Sequence, residues 1–127
     1  MKHYFWEVSY NNLLVNTYHY PGTFGENNTA YVDQFNRSYY QPYSGANPDG
    51  YQNSNERAQR EHTLLANALN SIAPSVSPLL DIDANGDGLV DAVSFVIYGG
   101  TGDWADLLWP HRWALYSQEV YLSLIHI

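Results

Sequence analysis

The chain has no cysteine, so neither a disulfide framework nor a thiolate zinc site is possible. Basic residues are scarce as well: 5 Lys and Arg stand against 13 Asp and Glu, a formal charge of -8. That balance argues against a nucleic-acid partner, whose phosphates are met by a basic surface. No run approaches the roughly 18 apolar residues of a membrane span, and the first residues lack a basic stretch leading into an apolar one. Catalytic signatures are missing too. None of the histidines (His3, His19, His62, His111 and His126) lies four residues from another, which excludes a His-Glu-x-x-His zinc helix within these residues. There is no Gly-x-Ser-x-Gly elbow, and without cysteine there is no thiol nucleophile. The residues alone name no catalytic side chain.

What is present is apolar and aromatic. In 127 residues, 45% are hydrophobic, with 12 Tyr and 4 Trp against 1 Met. That suffices for a core in one domain or part of one. The most informative stretch is Asp81-Ile82-Asp83-Ala84-Asn85-Gly86-Asp87-Gly88-Leu89-Val90-Asp91. Its four carboxylates repel one another; at a separation of ~5 Å and an effective dielectric of ~20, each close pair costs a few kcal/mol. A bound cation relieves that repulsion. Oxygen donors without His or Cys select calcium.

Counting Asp83 as the first position of a calcium loop puts Asn85 third, Asp87 fifth and Gly88 sixth, where the sharp turn needs glycine. Leu89 then offers its backbone carbonyl, Val90 points an apolar side chain inward, and Asp91 falls ninth. The twelfth position is Ser94 and not the bidentate Glu of an EF-hand, so Asp81 is the candidate to complete the set from the other side. The candidate metal ligands are therefore Asp81, Asp83, Asn85, Asp87, Leu89 and Asp91. The plain alternative is an acidic, solvated turn.

Around this loop the pattern predicts a short helix over 3–10, broken by Asn11-Asn12, and a strand from Leu13 to Tyr20 ended by Pro21-Gly22. A second short helix is expected over 29–36, then a long Tyr-rich loop to Asn53. The clearest element is a helix from Ser54 to Ile72, with Asn53 or Ser54 as cap, Glu56 in the first turn, and a Glu56–Arg60 pair. Its apolar stripe is Ala58, His62, Leu65, Leu69 and Ile72, with His62 at the edge of the core. Pro74 is expected to push Ala73 out of the helical region and end the helix there. The run 92–98 is β-branched and apolar, the pattern of a central strand buried on both faces. Gly99 to Asp103 reads as a turn, Trp104, Trp109 and Trp113 flank His111 and Arg112 in a groove wall or satellite core, and Leu115 to Leu122 reads as a last strand.

Three of these stretches together resemble a known family. Tyr-Phe-Trp-Glu-Val-Ser-Tyr at 4–10, the 81–91 loop running into Val-Ser-Phe-Val-Ile-Tyr, and Leu-Trp-Pro-His-Arg-Trp at 108–113 resemble the immune inhibitor A-like metalloproteases (peptidase family M-six) in order and approximate spacing. The resemblance covers residues 1 to about 122. It implies an α/β (α+β) fold: part of a zincin-type N-terminal subdomain, with a mixed sheet, a long backing helix and a calcium loop leading into a central strand. It implies a secreted zinc endopeptidase acting on protein or peptide substrates. Ca2+ would be held by the 81–91 loop, and Zn2+ by a His-Glu-x-x-His helix that this chain does not contain, so the chain would be inactive by itself. Residues 1–122 would be the N-terminal half of the catalytic domain, and 123–127, which depart from the family, a non-native tail. The competing expectation is a calcium-dependent extracellular adhesion or glycan-binding module.

Overall fold

The computed structural model describes residues 2–22, 29–98, 119–122 and 125–126. The chain divides into two compact units, Met1–Ala30 and Tyr31–Ile127.

In the first unit, helix α1 spans Lys2–Val8. It ends because Tyr10 and Asn11 both take positive φ (54° and 66°). The Asn11 N–H reaches back to the Trp6 carbonyl (2.8 Å) and the Tyr10 N–H to that of Glu7 (3.1 Å). This crossed pair is a Schellman cap, which satisfies carbonyls the helix leaves open. Ser9 Oγ then accepts from the N–H groups of Asn12 and Leu13, and the Asn12 side chain donates to the carbonyls of Ser9 and Tyr10. The Asn11-Asn12 break expected from sequence is thus a network of short side chains competing with the helix for backbone groups. The strand predicted over 13–20 is not formed. The segment has no ladder partner among the described residues, and Leu13 and Leu14 are exposed. Extended chain becomes a strand only when a neighbour takes up its hydrogen bonds.

The second unit is organised by helix α2, Ser54–Ile72. Its bounds match those read from sequence because its start is chemically specified. Asn53 Oδ1 accepts from the Glu56 N–H (3.0 Å), while a Glu56 carboxylate oxygen accepts from the Gln52 N–H (2.7 Å). Donors that the first turn leaves open are satisfied, as in a capping box shifted by one residue. At the other end Ala73 remains helical (φ -48°, ψ -41°), and the chain tightens into a 3₁₀ turn, Ala73–Ser75. This corrects the expectation that Pro74 displaces Ala73. Proline lacks an N–H but its φ suits the first turn of a helix, so the winding tightens before it stops.

The buried face of α2 carries Ala58, Glu61, His62, Ala66 and Leu69. Ala66 and Leu69 join Val76, Val120 and Leu122 in the core, with Ile72, Ala73, Leu80 and Val90 packed against it. His62 is 1% exposed. It lies buried on the same helical face, beyond the cluster formed by Ala66, Leu69, Val76, Val120 and Leu122.

Strands β1 (Tyr121–Leu122) and β2 (Ile125–His126) pair antiparallel, with Tyr121 opposite His126 and Leu122 opposite Ile125. Residues read as a tail therefore supply β2. The unit is mixed and dominated by helix, and this two-residue ladder is the only named sheet among the described residues. The larger mixed sheet expected from sequence is not seen there. Residues 92–98, expected to be a strand buried on both faces, run as exposed chain without regular structure. The run is apolar and β-branched, but burial needs covering layers that the described residues do not supply. Residues 99–118, including the Trp-rich stretch with His111 and Arg112 and most of the strand predicted from Leu115, lie outside the described residues.

Candidate metal centre

The loop is fixed to the core at both ends by Leu80 and Val90. Val90 turns inward, as the calcium-loop register requires. Between these anchors the chain folds around one carboxylate. Asp83 Oδ1 accepts from the N–H groups of Gly86 (2.8 Å) and Asp87 (3.1 Å), and Oδ2 accepts from that of Gly88 (2.9 Å). Such convergence demands a tight reversal, and Gly86 and Gly88 supply it at φ 72° and 82°. A side chain at either position would be strained by backbone conformation alone, since nothing lies within 4 Å of the site of its Cβ.

The remaining side chains repeat the device in shorter steps. Asn85 Oδ1 accepts from the Asp87 N–H (3.0 Å) and Asp87 Oδ1 from the Leu89 N–H (2.8 Å), while the Asn85 amide donates to Asp87 Oδ2 (2.9 Å). Asp91 closes the loop: its carboxylate accepts from the Ala84 N–H (3.0 Å), and its own N–H donates to the Ile82 carbonyl (3.0 Å). Asp83 and Gly88 are half-buried; Asp81, Asn85, Asp87, Leu89 and Asp91 are exposed.

The structure therefore draws Asp83, Asn85, Asp87 and Asp91 into one hydrogen-bonded loop. Their donors are all hard oxygens, and each carboxylate oxygen has two lone pairs, so amide contacts do not exhaust them. In donor chemistry the set suits calcium. Among the described residues no three His, Cys, Asp or Glu side chains are gathered as a metal site. The acidic groups are turned onto the loop's own amides. Ser94, at the position where an EF-hand places its bidentate Glu, is exposed in the irregular run 92–98.

A second constellation was not foreseen. Asp33 accepts from the hydroxyls of Tyr40 (2.6 Å) and Tyr31 (2.9 Å) and from the Phe35 N–H (2.9 Å). Burial by itself would raise its carboxyl, but these hydrogen bonds outweigh it and hold Asp33 below the usual carboxylate range. The Tyr40 phenol is pushed well above its ordinary value by burial, then by its hydrogen bond to Asp33 and by the Asp33 charge. The helix predicted over 29–36 does not form. Asp33 instead bonds the backbone two residues on, an alternative to helix that Asp readily takes, and a 3₁₀ turn follows at Arg37–Tyr40.

Arg60 ties the loop after this turn to α2. Its guanidinium donates to the carbonyls of Tyr39 and Asp49 (2.7 Å) and to Glu56 on the preceding helical turn. The Glu56–Arg60 pair predicted by spacing is present. The sequence held no signal that the same Arg would also reach two loop carbonyls. The resulting platform uses Tyr31, Tyr39 and Tyr40 internally and leaves Tyr43 exposed. Among the described residues no helix is long and apolar enough to cross a membrane.

No protein-family model matches the chain, and neither does any curated protein or solved structure. The resemblance to the immune inhibitor A-like metalloproteases rests on the sequence motifs alone.

Proposed function

We propose that the chain is a scaffold segment of a secreted zinc endopeptidase, stabilised by calcium at residues 81–91. The observation that carries this reading is one arrangement: a capped helix, then an acidic loop folded about Asp83, then a β-branched run, followed in sequence by Leu-Trp-Pro-His-Arg-Trp. Calcium's part is structural: it neutralises the loop carboxylates and fixes the connection between α2 and the run that follows. Peptide-bond hydrolysis by a zinc-activated water belongs to a His-Glu-x-x-His helix, which is not among these residues. The finer fold, a zincin-type subdomain with a mixed sheet, is part of the same proposal.

The test is proteolysis of a peptide or protein substrate by this chain and by the longer gene product containing it. The chain with added zinc is expected to be inactive, and the longer product active until a chelator removes its metal. Hydrolysis by the chain alone overturns the reading. So does a longer product that binds glycans in a calcium-dependent manner and hydrolyses nothing. The glycan reading is the weaker one, because Tyr31, Tyr39 and Tyr40 are spent on internal contacts with Asp33, Phe35 and Arg60.

A further inference from the structure

Asn85 is the only asparagine of the chain followed by glycine, and both Asn85 and Gly86 are exposed. An asparagine side chain ends in a neutral carboxamide, and the peptide nitrogen of the next residue can reach its Cγ to close a succinimide ring. A side chain on that next residue obstructs the approach. Gly86 has none, and nothing lies within 4 Å of the place a Cβ would occupy.

The contacts around the pair meet the needs of that reaction one by one. Asn85 Oδ1 accepts from the Asp87 N–H (3.0 Å). The hydrogen-bonded ring so formed runs through both Asn85 Cγ and the Gly86 nitrogen, the two atoms that join. The same N–H meets the oxygen on which negative charge gathers when Cγ becomes tetrahedral. Asp83 Oδ1 accepts from the Gly86 N–H (2.8 Å), whose proton must be surrendered. Asp87 Oδ2 accepts from Asn85 Nδ2 (2.9 Å), the nitrogen that must leave. Asp49-Gly50 and Asp87-Gly88 share the pattern in sequence, but their carboxylates are anions and poor electrophiles.

We infer that Asn85-Gly86 is a site of covalent self-modification, deamidation through a succinimide. The Gly86 nitrogen bonds to Cγ and gives up its proton. The Cγ–Nδ2 bond breaks, and that nitrogen takes up a proton and leaves as ammonia. Water then opens the ring at either carbonyl. The sum is asparagine and water giving ammonia and either aspartate or isoaspartate, with no change of oxidation state. The reaction adds a negative charge to a loop that already carries Asp81, Asp83, Asp87 and Asp91, and the isoaspartyl product lengthens the main chain inside it. The inference rests on neither the protease reading nor the calcium reading.

The test holds the full chain at neutral pH and physiological temperature with a chelator present, folded and in urea, and maps its peptides by mass spectrometry over time. In the folded chain Asn85 is expected to deamidate about tenfold faster than Asn12, Asn47, Asn53 or Asn70, none of which precedes a glycine, and to yield isoaspartate with aspartate. Gly86→Ala should slow the reaction about tenfold, in urea as well, where strain at its positive φ no longer enters. Aspartate without isoaspartate, or no slowing by Gly86→Ala in urea, would mean direct hydrolysis and overturns the ring closure. Modification in urea but not in the folded chain would mean that the same hydrogen bonds lock the peptide, and that overturns the site.

Discussion

The Arg60 guanidinium lies 3.8 Å from the centre of the Tyr39 ring and donates to that residue's own backbone carbonyl. One side chain thus holds both the ring and the main chain of Tyr39 against α2. Tyr39 stacks on Phe35 (4.0 Å between centroids, 12° between planes), so the arrangement extends to the start of the unit's loop region. Replacing Arg60 by Ala removes two charge-assisted bonds to carbonyls, the Glu56 pair and the ring contact together. A loss of about 2–3 kcal/mol is expected in denaturant titration. Arg60→Lys tests the geometry. An ammonium keeps the charge but cannot present the planar fork, so it should recover less than half of that loss. Full recovery by Lys would show that charge alone holds the loop.

Gly50 and Gly45 give a matched pair in the same loop. A Cβ on Gly50 would sit 2.5 Å from the carbonyl carbon and oxygen of Pro42, where Pro42 and Tyr51 form an isolated bridge. Backbone atoms cannot rotate away, so Gly50→Ala is expected to destabilise by about 1–3 kcal/mol. Gly45→Ala meets nothing within 4 Å and should be neutral within about 0.5 kcal/mol. Equal effects at the two sites, read as shifts in the urea midpoint, would remove the steric explanation.

Acid should act on the Asp33 cluster. The folded-state carboxyl is held low, so its contribution to stability is complete above the unfolded value of about 3.9 and is lost as pH falls through the folded one. Glu56, lowered by the Gln52 N–H and then by Arg60, works in the same direction. Tyr40 has the opposite sense. Its raised phenol contributes stability below pH ~10 that is lost at higher pH. Asp33→Asn should therefore reduce stability at pH 7 and flatten its decline between pH 4 and pH 2, as followed by urea midpoints. Tyr40→Phe should produce a smaller change of the same sign. An Asp33→Asn profile parallel to the wild type at acid pH would contradict the assignment.

These contrasts show where the sequence was legible. Helix α2 could be read to the residue because Asn53, Glu56 and the apolar period act within one helical turn of where they lie. The positive φ at Gly88 could be read for the same reason. Residues 29–36 misled because apolar spacing suggested a helix, while Asp33 committed its carboxylate to the Phe35 N–H and two tyrosines. Residues 13–20 and 92–98 carry β-prone composition, but a strand is a relation between segments, and no local feature states its partner. Arg60 was legible only as far as Glu56; its bonds to Tyr39 and Asp49 span 21 and 11 residues.

The acidic loop offers the most direct test of the proposed metal. Calcium binding to the folded state should raise stability by mass action. With a dissociation constant of ~1 mM, as in extracellular modules, 10 mM calcium adds ~1.4 kcal/mol, a rise of roughly 5 °C in Tm. Magnesium, which demands a tighter octahedral shell, should do markedly less. Asp83→Ala and Asp87→Ala should each abolish the calcium-dependent rise, but they differ without calcium. Asp83 accepts from three loop N–H groups and Asp87 from the Leu89 N–H and the Asn85 amide, so Asp83→Ala should lower the calcium-free Tm further. Gly88→Ala separates backbone strain from ligation. At φ 82° with open space around its Cβ, it should cost ~1 kcal/mol and still respond to calcium, because no ligand is removed. A wild-type Tm unmoved by 10 mM calcium would mean that the loop is a hydrogen-bonded turn organised by Asp83 and that its carboxylates serve the amides alone.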